Sequence, residues 1–173
     1  MNITGKDITL RALEPEDIDV LYKWENDTSI WHLSNTIAPF SRYILKQYIE
    51  SSHQDIYQLK QLRLIIVKKK DSSPIGAIDL FDFEHNHSRA GIGILIGENS
   101  ERNKGYGSEA LDLLIDYCFR TLHLKQLFCN ILENNEASIN LFRSKGFEIT
   151  GEKKSWVRIG DQFYNEFLLQ LVR

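Results

Sequence analysis

Six residues, Arg102-Asn103-Lys104-Gly105-Tyr106-Gly107, constrain this chain most, because they stand between a branched apolar run and a helical pattern. The run, Ala90-Gly91-Ile92-Gly93-Ile94-Leu95-Ile96, reads as a strand whose small residues admit a second backbone or a ligand at close range. Downstream, Leu111, Leu114, Ile115, Cys118 and Phe119 recur at helical spacing, so a helix opens near Tyr106. A helix start exposes N–H groups and the positive end of the dipole, which together bind anions. Gly105 and Gly107 keep side chains away from those amides, while Arg102 and Lys104 add positive charge. Pyrophosphate is the ligand this suits, and an ordinary loop eased by glycines is the bland alternative. Two competing phosphate motifs fail. A P-loop needs a glycine five residues before a Gly-Lys pair, a pattern absent here, and Ile96 stands where a dinucleotide fingerprint needs its third glycine.

Around this junction the chain reads as alternating blocks. Ile8 to Arg11 is a short strand, a helix runs from Pro15 to about Glu25, and a second helix spans Ser41 to about Ser51. Leu62 to Val67 and Ile75 to Phe83 form a hairpin across Asp71–Pro74, and a polar turn at Glu84–Ser88 leads into the strand at Ala90. Leu127 to Leu132 is a strand, Asn135 to Lys145 a helix stopped by Gly146, and strands from Phe147 to about Val157 and from Phe163 to Val172 flank a Gly160-Asp161 turn. The expected fold class is α/β (α+β): a mixed, mostly antiparallel sheet of six or seven strands with helices on both faces. A cleft is expected between the strands at Ala90 and Leu127.

Length and composition set the outer limits. A chain of 173 residues with 42% apolar residues supports one core, so residues 1–173 are read as a single domain. A net charge of -3 argues against a nucleic-acid or anionic-membrane partner, and Lys68-Lys69-Lys70 reads as a solvated strand end. Cys118 and Cys129 match neither a zinc spacing nor a disulfide framework and read as buried reduced thiols. The N-terminal segment lacks an apolar signal core, and no run approaches the roughly 18 apolar residues of a membrane helix, so a cytoplasmic protein is the expectation. Self-association is left open.

With its Arg102-x-x-Gly105-x-Gly107 turn the chain resembles the GNAT N-acetyltransferases, whose phosphate turn has the form Gln/Arg-x-x-Gly-x-Gly/Ala. The downstream segment Asn135 to Phe147, an Asn-led helix ending in Gly146-Phe147, is similar to that family's second signature. The resemblance implies acetyl-CoA as cosubstrate and a small-molecule primary amine as acceptor. It assigns the phosphates to Arg102, Asn103, Lys104, Gly105, Tyr106, Gly107 and Ser108, and the pantetheine arm to main-chain groups of Ile94, Leu95 and Ile96. Asn135 and Asn140 carry amides for the same arm, although Asn135 equally suits a helix cap. Phe142 stands where many relatives have a tyrosine that protonates the departing thiolate. A phenyl ring cannot do so, which gives Phe142 a packing role beside the thioester and keeps a non-catalytic acyl-CoA-binding module as a rival reading.

Acetyl transfer needs a neutral amine, and lowering an alkyl ammonium from pKa about 10.4 to neutral pH costs about 4 to 5 kcal/mol. Asp82, Glu84, His85 and His87 cluster at the end of a strand next to the expected cleft, and Asp82 and His87 are the expected catalytic pair. A plain polar turn is the alternative, and a metal site there is a weaker one; no metal is expected. Gly76 to Ala90 is similar to the strand-turn-strand of spermidine acetyltransferases, with acids at Asp79 and Asp82, which tilts the acceptor toward a polyamine or diamine over a protein N-terminus. Gly91 stands where those relatives have an acid. Trp24, Trp31, Tyr43 and Tyr48 read as core packing or as lining of an acceptor groove.

Overall fold

Ile8 and Leu10 alternate with polar residues, and both side chains are fully buried, which fixes the strand they share and the face it turns inward. The computed structural model describes residues 2–52 and 54–173. In chain order it contains β1 (Asn2–Thr4), β2 (Ile8–Ala12), α1 (Ile18–Glu25), α2 (Trp31–Ser34), α3 (Arg42–Ser51) and α4 (Ile56–Leu59). Then follow β3 (Leu62–Lys68), β4 (Pro74–Glu84), β5 (Arg89–Ile96), α5 (Tyr106–Arg120), β6 (Gln126–Leu132), α6 (Glu136–Ser144), β7 (Glu148–Ile159) and β8 (Gln162–Val172). The strands form one mixed sheet in the order β1-β2-β3-β4-β5-β6-β8-β7. Every pairing is antiparallel except β5 with β6. That pair is parallel because α5 carries the chain back between them.

Helices cover both faces, as the sequence pattern implies. On one, Leu111 and Leu114 of α5 and Ile139 and Phe142 of α6 pack on Ile66, Ile78, Leu80 and Ile92. On the other, Leu21 and Trp24 of α1 and Leu45 and Ile49 of α3 pack on Ile65 and Ala77, with Leu95 partly buried against them. The start of α1 is pinned by Asp17, only 3% exposed, whose carboxylate accepts from Nη1 and Nη2 of Arg11 at 2.7 Å each and from the Glu14 N–H at 2.9 Å. Pro15 begins the short 3-10 turn before it, where its missing N–H costs nothing. No helix among the described residues is long and apolar enough to cross a membrane.

The sheet has eight strands where six or seven were expected. The additional strand is β1, paired through Asn2↔Arg11, Ile3↔Leu10 and Thr4↔Thr9, and three residues are too few to show an alternating pattern. α2 and α4 escape the sequence reading for the same reason, at four residues each. Asp55 caps α4, accepting from the amides of Tyr57 and Gln58. α6 ends as expected: Gly146 adopts φ 89°, its N–H reaches the Arg143 carbonyl, and Phe147 N–H reaches that of Phe142.

Close approach of β4 to β5 depends on Gly76, which lies opposite Ile96; a Cβ there would overlap the Leu95 carbonyl oxygen. Gly76→Ala should therefore lower stability by about 1 to 3 kcal/mol, read as a lower urea midpoint at unchanged slope. An unchanged midpoint would contradict this strand spacing.

Candidate active site

Parallel pairing between β5 and β6 lasts for three residue pairs, Arg89↔Gln126, Ala90↔Leu127 and Gly91↔Phe128, and then stops. Beyond them the strands diverge and leave a cleft of about 590 Å3. Ile92, Gly93, Ile94 and Leu95 form one wall, and Cys129, Asn130, Ile131 and Leu132 the other. Along these walls the backbone edges facing the gap lack a ladder partner, so their N–H and C=O groups are available to a ligand. The cleft reaches both faces of the sheet. Asn135, Ser138 and Phe142 of α6 line it on one side, and Trp24 and Glu25 of α1 on the other.

β5 runs directly into the turn before α5. Asn103 (φ 61°) and Gly105 (φ 87°) adopt left-handed conformations, the second of which only glycine takes freely. No side chain caps α5 among the described residues, so the first-turn amides of Tyr106, Gly107 and Ser108 present themselves as donors. A Cβ on Gly107 would sit 3.7 Å from Ile94 and 3.8 Å from Ile96 and Leu141, ordinary contacts, so the chain's own packing does not demand glycine there. Arg102 folds back, its Nε donating to the Ile96 carbonyl at 3.0 Å, and Lys104 Nζ pairs with Glu101 at 3.1 Å.

Of the residues singled out from the sequence, Trp24, Trp31, Asp79, Ile94, Leu95, Asn135 and Phe142 line the cleft. Ile96 is paired with Gly76 and packs against the core below α5. Asn135 caps α6, its Oδ1 accepting from Ser138 N–H at 3.3 Å, and still faces the cleft. Asn140 is exposed and does not line it. Phe142 is 2% exposed and meets Phe147 edge to face at 5.1 Å. Among the described residues no tyrosine lines the cleft.

Asp82 and His87 are not brought into it. The register of β4 against β5 shifts between Phe81 and Glu84, where Asp82 takes φ 47° and points to solvent. Such a bulge breaks the alternation of side chains along the strand and re-aims Asp82. Asp82 and Glu84 line a separate depression with Arg89, Gln126 and Phe128, at the end where β5 and β6 are still paired. His87 is exposed in the 3-10 turn that follows. Phe81 and Phe128, edge to face at 5.7 Å, form the wall between depression and cleft. Among the described residues no group of three His, Cys, Asp or Glu is arranged to hold a metal ion.

Apart from Asp79, the charged residues that the cleft collects were not singled out from the sequence. Arg63 on β3 donates from Nε and Nη2 to the two Asp79 oxygens at 2.7 and 3.0 Å and from Nη1 to Glu25, and its guanidinium stands 5.5 Å from the Tyr48 ring centroid. Burial works against its charge, but Asp79, Tyr48 and Glu25 outweigh it and raise the Arg63 pKa above its ordinary value. Lys153 on β7 donates to Glu166 at 2.7 Å and to Asn130 at 3.1 Å, and Glu166 is only 8% exposed. Three carboxylates, Glu25, Asp79 and Glu166, thus face two cations, Arg63 and Lys153. Charged residues inside the branched strand Leu62–Lys68 and the apolar strand Gln162–Val172 were the available signal. Cys129 is no nucleophile, because burial pushes its thiol up to about 12.

A family model described as an acetyltransferase (GNAT) domain matches residues 7–148. The chain is 27% identical over 158 residues to the spermidine N(1)-acetyltransferase of Escherichia coli (strain K12), a match covering 91% of this chain and 82% of that protein. It is 28% identical over 167 residues to a Bacillus licheniformis protein named as an N-acetyltransferase, covering 96% and 93%. A crystal structure of spermidine N-acetyltransferase from Vibrio cholerae in complex with CoA and spermine shares the fold, with a TM-score of 0.87 at 20% identity over 97% of this chain and 96% of that one. The family match spans most of the chain, and with it the open strand edge beside a bare helix start belongs to a GNAT acetyltransferase, an enzyme of the N-acetyltransferase class.

Proposed function

We propose that this protein acetylates a primary amine of a small polycation, a polyamine or diamine, using acetyl-CoA. The observation that carries the acceptor class is the surplus of carboxylates over cations in a cleft open to both faces of the sheet. An acceptor with a second ammonium group gains charge-assisted hydrogen bonds from Glu25 and Asp79 on the α1 side, which a peptide N-terminus does not require. The spermidine acetylation for which the Escherichia coli and Vibrio cholerae relatives are named supports the same direction.

Acetyl-CoA supplies the acetyl group as a thioester, and the residues present suit it. The first-turn amides of α5, reached past Gly105 and Gly107, take the pyrophosphate, with Arg102, Asn103, Lys104, Tyr106 and Ser108 around them. Main-chain groups of Ile94 to Ile96 that face the gap, apart from the Ile96 carbonyl held by Arg102, take the pantetheine arm, and Asn135 stands on the α6 side. An unpaired β5 N–H stabilises charge developing on the carbonyl oxygen. Glu25 and Glu166 are the cleft carboxylates able to accept the amine's proton, directly or through water. Phe142 packs beside the reacting carbon, so the departing thiolate takes its proton from water or from the acceptor's own nitrogen.

Gly105→Val should weaken coenzyme A binding by at least about tenfold in calorimetry, and the left-handed backbone should cost the fold about 1 to 2 kcal/mol. Gly105→Asn, whose side chain tolerates that backbone, should fold normally and still bind more weakly. Wild-type affinity in both variants would overturn the phosphate placement.

In an acceptor screen, spermidine or a related diamine should show higher kcat/KM than any N-terminal peptide. Glu25→Gln should raise the spermidine KM roughly tenfold, the loss of one charge-assisted bond of about 1.4 kcal/mol. Asp82→Asn, outside the cleft, should leave it unchanged. A peptide that outcompetes every polyamine would refute the acceptor class and leave the acetyltransferase activity standing.

A further inference from the structure

Trp24 and Glu25 are neighbours at the end of α1, yet they serve different parts of the molecule. Glu25 reaches into the cleft and accepts from Arg63. Trp24, 2% exposed, lies flat over Gly97, where a Cβ would overlap its indole, and its Nε1 donates to Glu98 Oε1 at 3.1 Å. Lys23, one residue earlier, donates to both Glu98 oxygens at 2.7 and 2.8 Å. Three consecutive residues of one helix thus grip Glu98 from two positions and present a cleft carboxylate from the third.

Glu98 belongs to the loop that carries β5 into the phosphate turn. That loop is held at its root, since Gly97 N–H and Glu98 N–H both donate to the Ile75 carbonyl, at 2.9 and 3.2 Å. Its far end is one connected unit. The Glu98 carbonyl accepts from Glu101 N–H at 2.9 Å, the Glu101 carboxylate holds Lys104 at 3.1 Å, and Arg102 reaches back to Ile96 at 3.0 Å. The Trp24–Glu98 bond ties the end of α1 to a loop 74 residues away in sequence. Neither Glu98 nor Lys23 lines the cleft.

We infer that Glu98 is a positioning residue that couples the two substrates: fixing the turn at Arg102–Gly105 around the cofactor fixes Glu98, and Glu98, through Lys23 and Trp24, fixes the end of α1 that presents Glu25 to the acceptor. The inference rests on acceptor binding at Glu25. Coupling of this kind is reciprocal, so each substrate tightens the other by the same factor.

The test is calorimetric titration of spermidine into the enzyme with and without saturating coenzyme A, a pair that forms a non-reacting ternary complex. In the wild type, coenzyme A should tighten spermidine binding by at least about fivefold. In Glu98→Ala the ratio should fall close to one and the amine KM should rise, whereas loss of stability alone would leave the ratio unchanged. Glu98→Gln keeps an acceptor for the Trp24 N–H and should recover most of the coupling. If Glu98→Ala fails to fold, Lys23→Met, which removes only the exposed ion pair, should lower the ratio part of the way. An unchanged ratio in the folded variants would overturn the inference. Should the best acceptor prove to be a peptide, the same titration with that peptide keeps the two readings apart: lost coupling upholds the role of Glu98 although the polyamine reading has fallen.

Discussion

The parallel ladder between β5 and β6 ends after Gly91↔Phe128, and the site depends on that interruption. A fully paired sheet would satisfy its own backbone and offer a ligand only side chains. Here one strand emerges from the core with unpaired main-chain groups, and the same chain then turns, through left-handed Asn103 and Gly105, into a helix with no side-chain cap. Both sets of orphaned groups lie within one short stretch of sequence. The rest of the fold supports the gap: α5 and α6 pack under the even-numbered side chains of β5, α1 and α3 cover the opposite face, and β8 secures the far edge of β6.

Charge is arranged around the gap with the same economy. Partly buried ions must be paired, and Arg63 joins Glu25 of α1 to Asp79 of β4 across 38 and 16 residues of sequence. Lys153 does the same for Glu166 and Asn130. Carboxylates outnumber cations in the lining, and the negative charge left over is what supports the cationic acceptor proposed above. Phe142, held against Phe147, lines the cleft with an apolar ring and brings no ionisable group to it.

Much of this was legible in the sequence because it is local. The turn at Arg102–Gly107, the helix after it, and the Asn135-capped helix stopped by Gly146 all announce themselves within about 15 residues. The eighth strand, α2 and α4 were hidden because three or four residues show no periodicity. Asp82 and His87 were expected beside the cleft because their strand runs next to it, but a bulge that re-aims Asp82 and a 3-10 turn that exposes His87 leave no mark in the pattern. Glu25, Arg63 and Glu166 were missed because only the folded chain brings them together.

Amide hydrogen exchange with and without coenzyme A tests the central claim most directly, because it reads the orphaned backbone donors themselves. Cofactor should slow exchange in the segments 92–96 and 103–108, which lack internal partners facing the site, while the β6 amides already paired with β8 change little. Protection confined to other segments, or none at all under saturating coenzyme A, would contradict the account.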